Sequence, residues 1–177
     1  MNVRNCSDIG VNAQYIIKRL LANQDLLKLL YYTDKDPLSH EDLTEEQIQN
    51  EVFGKLVKIV PRVGPKETAH SIVAVRIARA RGLATNNEFK NVNISVEVFV
   101  PMTQWIIKDT NLRPFAIMGE IQKSLNNKTI DGLGKMEGGD FSINFLTDEI
   151  SSVKKFKSKS PPTILPKPSI FLPFKDF

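Results

Sequence analysis

Nine residues in the middle of the chain constrain its fold more than any others. Val92, Ile94, Val96, Val98 and Val100 occupy every second position, and polar residues lie between most of them. A period of two with β-branched side chains is typical of a strand with one face in the core and the other in solvent. Residues 71–80 show a similar β-branched run. We expect these two segments to pair as antiparallel strands across a loop.

Helical periodicity appears on both sides of this strand pair. Apolar residues recur at three- and four-residue intervals over 13–31, which predicts one amphipathic helix capped by Asn12. Thr44 and Gln47 have the spacing of a capping box, which predicts a short helix to about residue 52. A further helix is expected after Thr110 or Asn111 as its cap, with Pro114 in the first turn.

The remaining elements complete an α+β arrangement. Residues 56–60 predict a short strand that Pro61 ends, and residues 133–136 and 141–146 predict a last hairpin around a Gly-Gly turn. The expected fold is an antiparallel sheet of about four to five strands with two main helices packed on it. We assign residues 1–153 to this domain.

The composition changes near the end of the chain. Residues 154–177 contain five of the ten prolines, which exclude a regular helix or a central strand. Apolar residues are nevertheless frequent there, unlike in a polar linker. We therefore predict an extended C-terminal arm over 154–177 that docks into an apolar surface. The contact residues expected in the arm are Phe171, Phe174 and Phe177.

The sequence offers little that supports catalysis. There is one cysteine and there are two histidines, and neither His40 nor His70 has neighbours at a metal-ligand spacing. The glycines at 132–139 do not follow the spacing of a phosphate-binding loop. We therefore predict no catalytic residue, no cofactor, no metal and no enzymatic activity. Apolar runs are too short for a membrane span, and the lone cysteine suits a reducing cytoplasm.

Two interpretations remain open for the three arginines of the strand pair, and two for the single tryptophan. Arg76, Arg79 and Arg81 place positive charge along the predicted strand pair, either as solvated or subunit-facing charge or as contacts to nucleic acid. The formal net charge of +4 permits nucleic-acid contact without requiring it. Trp105, just after the strand, is either a lid on the core or an anchor of an interface.

The order of these pieces resembles the tail terminator and neck proteins of tailed bacteriophages. Residues 57–146 carry the likeness, above all the alternating VEVFVP strand followed by the LRPF helix start that contains Arg113. The Pro-rich end from Lys154 has no counterpart in a minimal terminator. The resemblance implies a structural virion protein that caps the tail tube as a ring, expected to be a hexamer.

Further expectations follow from this resemblance. The protein's partners would be copies of itself, the tail tube protein and the head-to-tail connector protein, with passing contact to DNA in the channel through Arg76, Arg79 and Arg81. Subunit or partner contacts are expected at Trp105, Arg113 and the arm phenylalanines. The protein would be assembled in the host cytoplasm and located in the neck or tail of the virion.

Two alternatives remain open at this stage. One lies in the same class, a connector or stopper subunit between portal and tail. The other is of a different class, a nucleic-acid-binding module that uses the basic residues. Sheet edges completed by neighbouring copies, with the arm reaching over a neighbour, are the physical basis of the first reading.

Overall fold

A computed structural model describes residues 6–59, 69–83, 86–108, 111–130, 134–136, 142–147 and 150–154. Four α-helices fall in these ranges: α1 (Cys6–Leu21), α2 (Gln24–Tyr31), α3 (Glu45–Gln47) and α4 (Arg113–Leu125). A π-helical turn, Ile48–Val52, continues α3. Short 3-10 turns span Pro37–Ser39 and Met102–Gln104.

Seven strands accompany these helices. They are β1 (Val57–Ile59), β2 (Ile72–Leu83), β3 (Asn86–Pro101), β4 (Thr129–Ile130), β5 (Gly134–Lys135), β6 (Ser142–Thr147) and β7 (Ile150–Lys154). The main sheet has the order β1-β2-β3-β7-β6, and β4 and β5 form a separate two-stranded ladder. Helices α1 and α4 contact the main sheet, and α2 packs against both of them.

The α+β class is confirmed, with one correction to the sheet. The predicted pairing of the two long strands is present, and β2 and β3 are antiparallel over most of their length. Strand β1, however, runs parallel to β2, so the sheet is mixed and not purely antiparallel. The strands β1, β2 and β3 make a three-stranded mixed core. The predicted four to five strands are reached only when β7 and β6 are included.

The first predicted helix is two helices. The apolar stripe of 13–31 has one gap, at the polar residues 23–25, and there α1 ends at Leu21 and α2 begins at Gln24. Asn23 separates them, and its side chain accepts a hydrogen bond from the Leu26 amide as the cap of α2. Its amide group also donates to the Glu120 main chain and to Ser124 in α4. A cap that also binds a neighbouring helix compensates the hydrogen bonds lost at the break.

Two other local predictions need correction. The N-cap of α4 is Leu112, which gives no side-chain cap, so neither Thr110 nor Asn111 has that role. The last hairpin joins β6 to β7, whereas Gly134–Lys135 pairs with Thr129–Ile130. The capping box of α3, by contrast, is confirmed: Thr44 accepts from the Gln47 amide and the Gln47 side chain accepts from the Thr44 amide.

The core extends to both sides of the central strands. Every residue in 71–75 and in 96–101 is buried. The alternation predicted that one face of β3 is exposed, but in this part of the strand both faces are buried. Glu97, on the polar face, is buried as well. Much of the rest of the core comes from the helices, with Ile16, Leu20, Leu27, Leu30, Ile117 and Ile121 inaccessible to solvent.

Some predictions fall outside the described residues. The C-terminal arm beyond Lys154 is one of them, so its extended form and its boundary stay predictions. Among the described helices, none has the length and apolarity that a membrane span requires.

Candidate functional site

The side chain of Arg113, at the first turn of α4, is completely buried. Its Nε donates to the Gln104 carbonyl at 2.8 Å, and Nη1 donates to the carbonyls of Leu29 at 2.8 Å and Tyr32 at 2.6 Å. Nη2 donates to the Asp34 carbonyl. One guanidinium therefore joins the end of α2, the following loop, the 3-10 turn after β3 and the start of α4.

The chemistry of this contact explains why an arginine is present. Carbonyls near the C-terminal end of α2 have no partner within the helix and carry its negative partial charge, and a planar guanidinium can donate to several at once. Burial lowers the pKa of Arg113, and the carboxylate of Asp34 opposes this shift. The placement corrects the expectation that Arg113 contacts another subunit, because its side chain has no exposed surface.

Gln104 connects the same 3-10 turn to the residues just before β2. Its buried side chain accepts a hydrogen bond from the Ser71 hydroxyl at 3.2 Å and donates to the Ala69 carbonyl at 2.7 Å. The Arg113 amide donates to the Trp105 carbonyl at 2.8 Å, which closes residues 105–113 into a loop. Trp105 is half-buried on this loop, at a fixed position between β3 and α4.

Large apolar side chains are exposed on both sides of this fixed loop. Ile106 is 62% exposed, and Met102 and Phe115 are also exposed. The loop contacts the segment after α2, since the Lys108 amide donates to the Lys35 carbonyl and its ammonium group lies 2.9 Å from Asp36. Exposed apolar side chains held on a rigid backbone are a feature of interaction surfaces.

The segment that Lys108 contacts is acidic. Residues 34–51 contain seven carboxylates and one lysine, a formal charge of −6 in a chain whose total is +4. All seven side chains are exposed or half-exposed: Asp34, Asp36, Glu41, Asp42, Glu45, Glu46 and Glu51. The rest of the chain therefore carries +10. Such a separation of charge favours association with a basic partner.

Asp34 organises the start of this segment. Its carboxylate accepts from the Asp36 amide at 2.8 Å and lies 2.7 Å from His40 Nε2, and the His40 ring stacks on Tyr32 at 3.9 Å. Burial alone raises the pKa of Asp34, but the hydrogen bonds from the Asp36 amide and His40 outweigh it, so its pKa is lowered. These contacts link Tyr32, Asp34, Asp36 and His40 at the start of the acidic segment.

The predicted basic stripe is only partly available to a ligand. Arg76 Nη1 lies 2.6 Å from the carboxylate of Glu97, the buried acid of β3. The pair spans β2 and β3 diagonally, since Ala74 faces Glu97 in the register. Arg76 thus compensates a buried charge. Arg79 and Arg81 lie on β2, but their side chains are outside the described part, as are Phe171, Phe174 and Phe177.

The edge of the sheet at β1 is a second exposed region. Phe53 and Ile59, at either end of this short edge segment, are exposed. A cleft of about 630 Å³ lies beside the edge, where the Tyr31 hydroxyl donates to Glu51 at 2.7 Å. That hydrogen bond is the main reason why the pKa of Tyr31 is raised, and burial of the hydroxyl raises the pKa further. Buried His70 Nδ1, also at this cleft, has no hydrogen-bond partner among the described residues.

Over the described ranges, no three His, Cys, Asp or Glu side chains come together as metal ligands. Sequence reasoning named Trp105, whose contact role stays a prediction, and did not single out the exposed Phe53, Ile59 and Ile106. One signal for the buried role of Arg113 was present: it lies four residues before Ile117, on the apolar stripe of α4.

One comparison with known proteins gives a match. The model of a protein family described as YomW, a phage-derived name of the SPbeta type, matches residues 23–151. No curated protein and no solved structure matches the chain.

Proposed function

We propose that this chain is a structural protein of the phage neck. The chain belongs to the YomW family, and the phage-derived name of that family supports the proposal. Its specific role is that of a tail terminator, a ring that caps the tail tube and joins it to the head connector. It has no catalytic role. Copies of the chain, the tail tube protein and the connector protein are its partners.

The observation that carries this proposal is the open edge of the sheet at β1. Among the described residues, β1 lies at the end of the order β1-β2-β3-β7-β6, and its outer side carries just the isolated bridge from Phe53 to Val57. Exposed Phe53 and Ile59 flank it. Unpaired strand edges with exposed apolar side chains favour pairing with another chain. A closed ring satisfies every such edge without endless addition, because each subunit then offers and receives the same contact.

The interface at the edge is testable with single charges. Ile59→Lys or Phe53→Lys places an ammonium group in the proposed contact and should reduce ring formation, as measured by light scattering after size exclusion. Val11→Lys is the matched control, because Val11 is similarly exposed but lies on α1. Equal loss of assembly in all three variants, or no loss in the edge variants, would refute the role of this edge.

Virions provide the test of the terminator role. In a phage from which the coding sequence has been removed, a missing terminator should leave tails of uncontrolled, excessive length in electron micrographs. Tails of normal length with DNA lost from filled heads would instead support the connector or stopper alternative. Complementation with the intact chain is the control.

A nucleic-acid-binding module receives less support. Arg76, one of the three arginines on which that alternative depends, is paired with Glu97. Binding to DNA that weakens steeply with added salt, in a chain that stays monomeric, would favour the module over the ring.

A further inference from the structure

The exposed apolar loop after β3 and the acidic segment after α2 form one surface, here called the acidic corner. It consists of residues 34–46 and 102–108. Two contacts of Lys108, with the Lys35 carbonyl and the Asp36 carboxylate, hold these stretches together. Exposed Leu38 and Ile106 supply apolar area, and the surrounding carboxylates supply negative charge.

The acidic corner is formed in advance of any binding. Arg113 joins both of its halves, since its guanidinium donates to Tyr32 and Asp34 on one side and to Gln104 on the other. Gln104 is in turn fixed to residues 69–71. A surface held in this way loses little conformational entropy when a partner docks.

The chain itself contains a segment with complementary chemistry. Residues 154–177 have six lysines and one aspartate, a formal charge of +5, together with aliphatic and aromatic residues between prolines. Proline holds such a segment extended, so that it binds along a surface at a low cost in entropy. Negative charge with exposed apolar side chains is the surface that this composition requires.

The direction of β7 carries the start of the arm away from the acidic corner of its own chain, and the arm is long enough to reach a neighbouring copy. In the register with β3, Ile150 faces Pro101, next to the acidic corner, whereas Lys154 faces Glu97. Strand β7 therefore runs about 14 Å, from Ile150 to Lys154, away from the acidic corner of its own chain before the arm begins. The 23 residues beyond Lys154 reach about 70 Å when extended. A domain of this size has a radius of gyration of only about 15 Å.

We propose that the acidic corner is the docking site for the C-terminal arm of an adjacent copy, with arm lysines on its carboxylates and arm phenylalanines against Leu38 and Ile106. This inference rests on the proposed function, because it assumes an assembly of identical chains. It adds the location of the contact and the segment that fills it.

Photo-crosslinking in the full-length protein tests this directly. A benzophenone amino acid replaces Phe171, and equal amounts of ¹⁵N-labelled and unlabelled chains are mixed before irradiation. The proposal predicts crosslinked peptides that combine both isotopes and map to residues 34–46 or 102–108. Crosslinks confined to other regions, or crosslinks only within one isotope, would overturn it. A benzophenone at Gln122, on the exposed side of α4, is the control for random collision.

Charge exchange gives a second, independent readout. Glu41→Lys with Glu46→Lys in one chain, or Lys157→Glu with Lys159→Glu in another, should each weaken assembly at least tenfold. Mixing the two variants should restore part of it, because the reversed arm then meets a reversed corner. Failure of the mixture to recover, with recovery only when all four changes are in one chain, would overturn docking on a neighbour.

The two proposals fail in different ways. Light scattering on the same unirradiated sample reports whether the chain assembles at all. A ring whose arm crosslinks elsewhere overturns the acidic corner and leaves the proposed function standing. A monomer at every concentration overturns both.

Discussion

Replacement of the buried Arg113 should destabilise the fold more than any other substitution considered for this chain. Arg113→Met keeps the length and apolar stem of the side chain but removes all four hydrogen bonds to main-chain carbonyls. A buried acceptor left without its donor costs about 1–3 kcal/mol. Relief from burying a charge offsets part of the total. The expected loss in the free energy of unfolding is therefore about 3–5 kcal/mol.

This loss is large against a typical total of about 5–15 kcal/mol. Urea unfolding at one fixed protein concentration measures it, since assembly makes stability depend on concentration. The single tryptophan, Trp105, lies beside the affected carbonyl of Gln104 and gives the fluorescence signal. Arg113→Lys should lose about half as much, because an ammonium group cannot reach carbonyls in four directions.

Arg19→Met is the control for arginine removal, because Arg19 is exposed in the last turn of α1. It should change the free energy of unfolding by less than about 0.5 kcal/mol. If Arg113→Met also stays within about 1 kcal/mol of the wild type, the guanidinium does not hold these elements together. Arg113 would then not be the contact that forms the acidic corner in advance of binding.

Three other substitutions test separate parts of the structure. Arg76→Met leaves the carboxylate of Glu97 buried without its partner and should cost about 3 kcal/mol in urea unfolding, whereas adding Glu97→Leu should recover part of the loss. Thr44→Ala removes the cap of α3 and should cost about 1 kcal/mol, with no effect if the hydrogen bond to the Gln47 amide is unimportant. The lowered pKa of Asp34 means that its contribution is present above the ordinary pKa of about 3.9 and is lost as the pH falls through its lower folded value. Asp34→Asn should therefore lose less stability than the wild type between pH 5 and pH 3, and parallel curves for the two proteins would contradict this.

Regular elements were predictable where local pattern and tertiary packing agree. The alternation over 92–100 identified β3, and the capping box identified α3, because both signals are complete within a few residues. The break between α1 and α2 was missed, since the apolar stripe resumes at Leu27, seven residues after Leu20, on the same helical face. Only the cap formed by Asn23, together with its contacts to α4, reveals the break.

Pairing partners were harder to predict than strands. The parallel pairing of β1 with β2 depends on how the chain returns over residues 60–71, which no local pattern encodes. The last hairpin was assigned to the wrong strand because the Gly-Gly turn gave a stronger signal than the true partner, Ile150–Lys154. Such errors arise since register and partner choice are decided by long-range packing.

Functional residues were the least predictable part. Arg113 looked like a surface residue because arginine is rarely buried, and its four carbonyl partners come from segments as far as 84 residues away in sequence. The charge of −6 over residues 34–51, by contrast, was readable from the sequence. Its meaning depended on the contact with Lys108, which places exposed apolar side chains beside it.

Sedimentation velocity of the full-length chain over a wide range of concentrations tests the central claim, assembly through copies of the same molecule, most directly. The account predicts a discrete species that grows with concentration toward a closed ring. For six chains of 20.0 kDa, its mass is about 120 kDa. A single 20.0 kDa species at every concentration would contradict it.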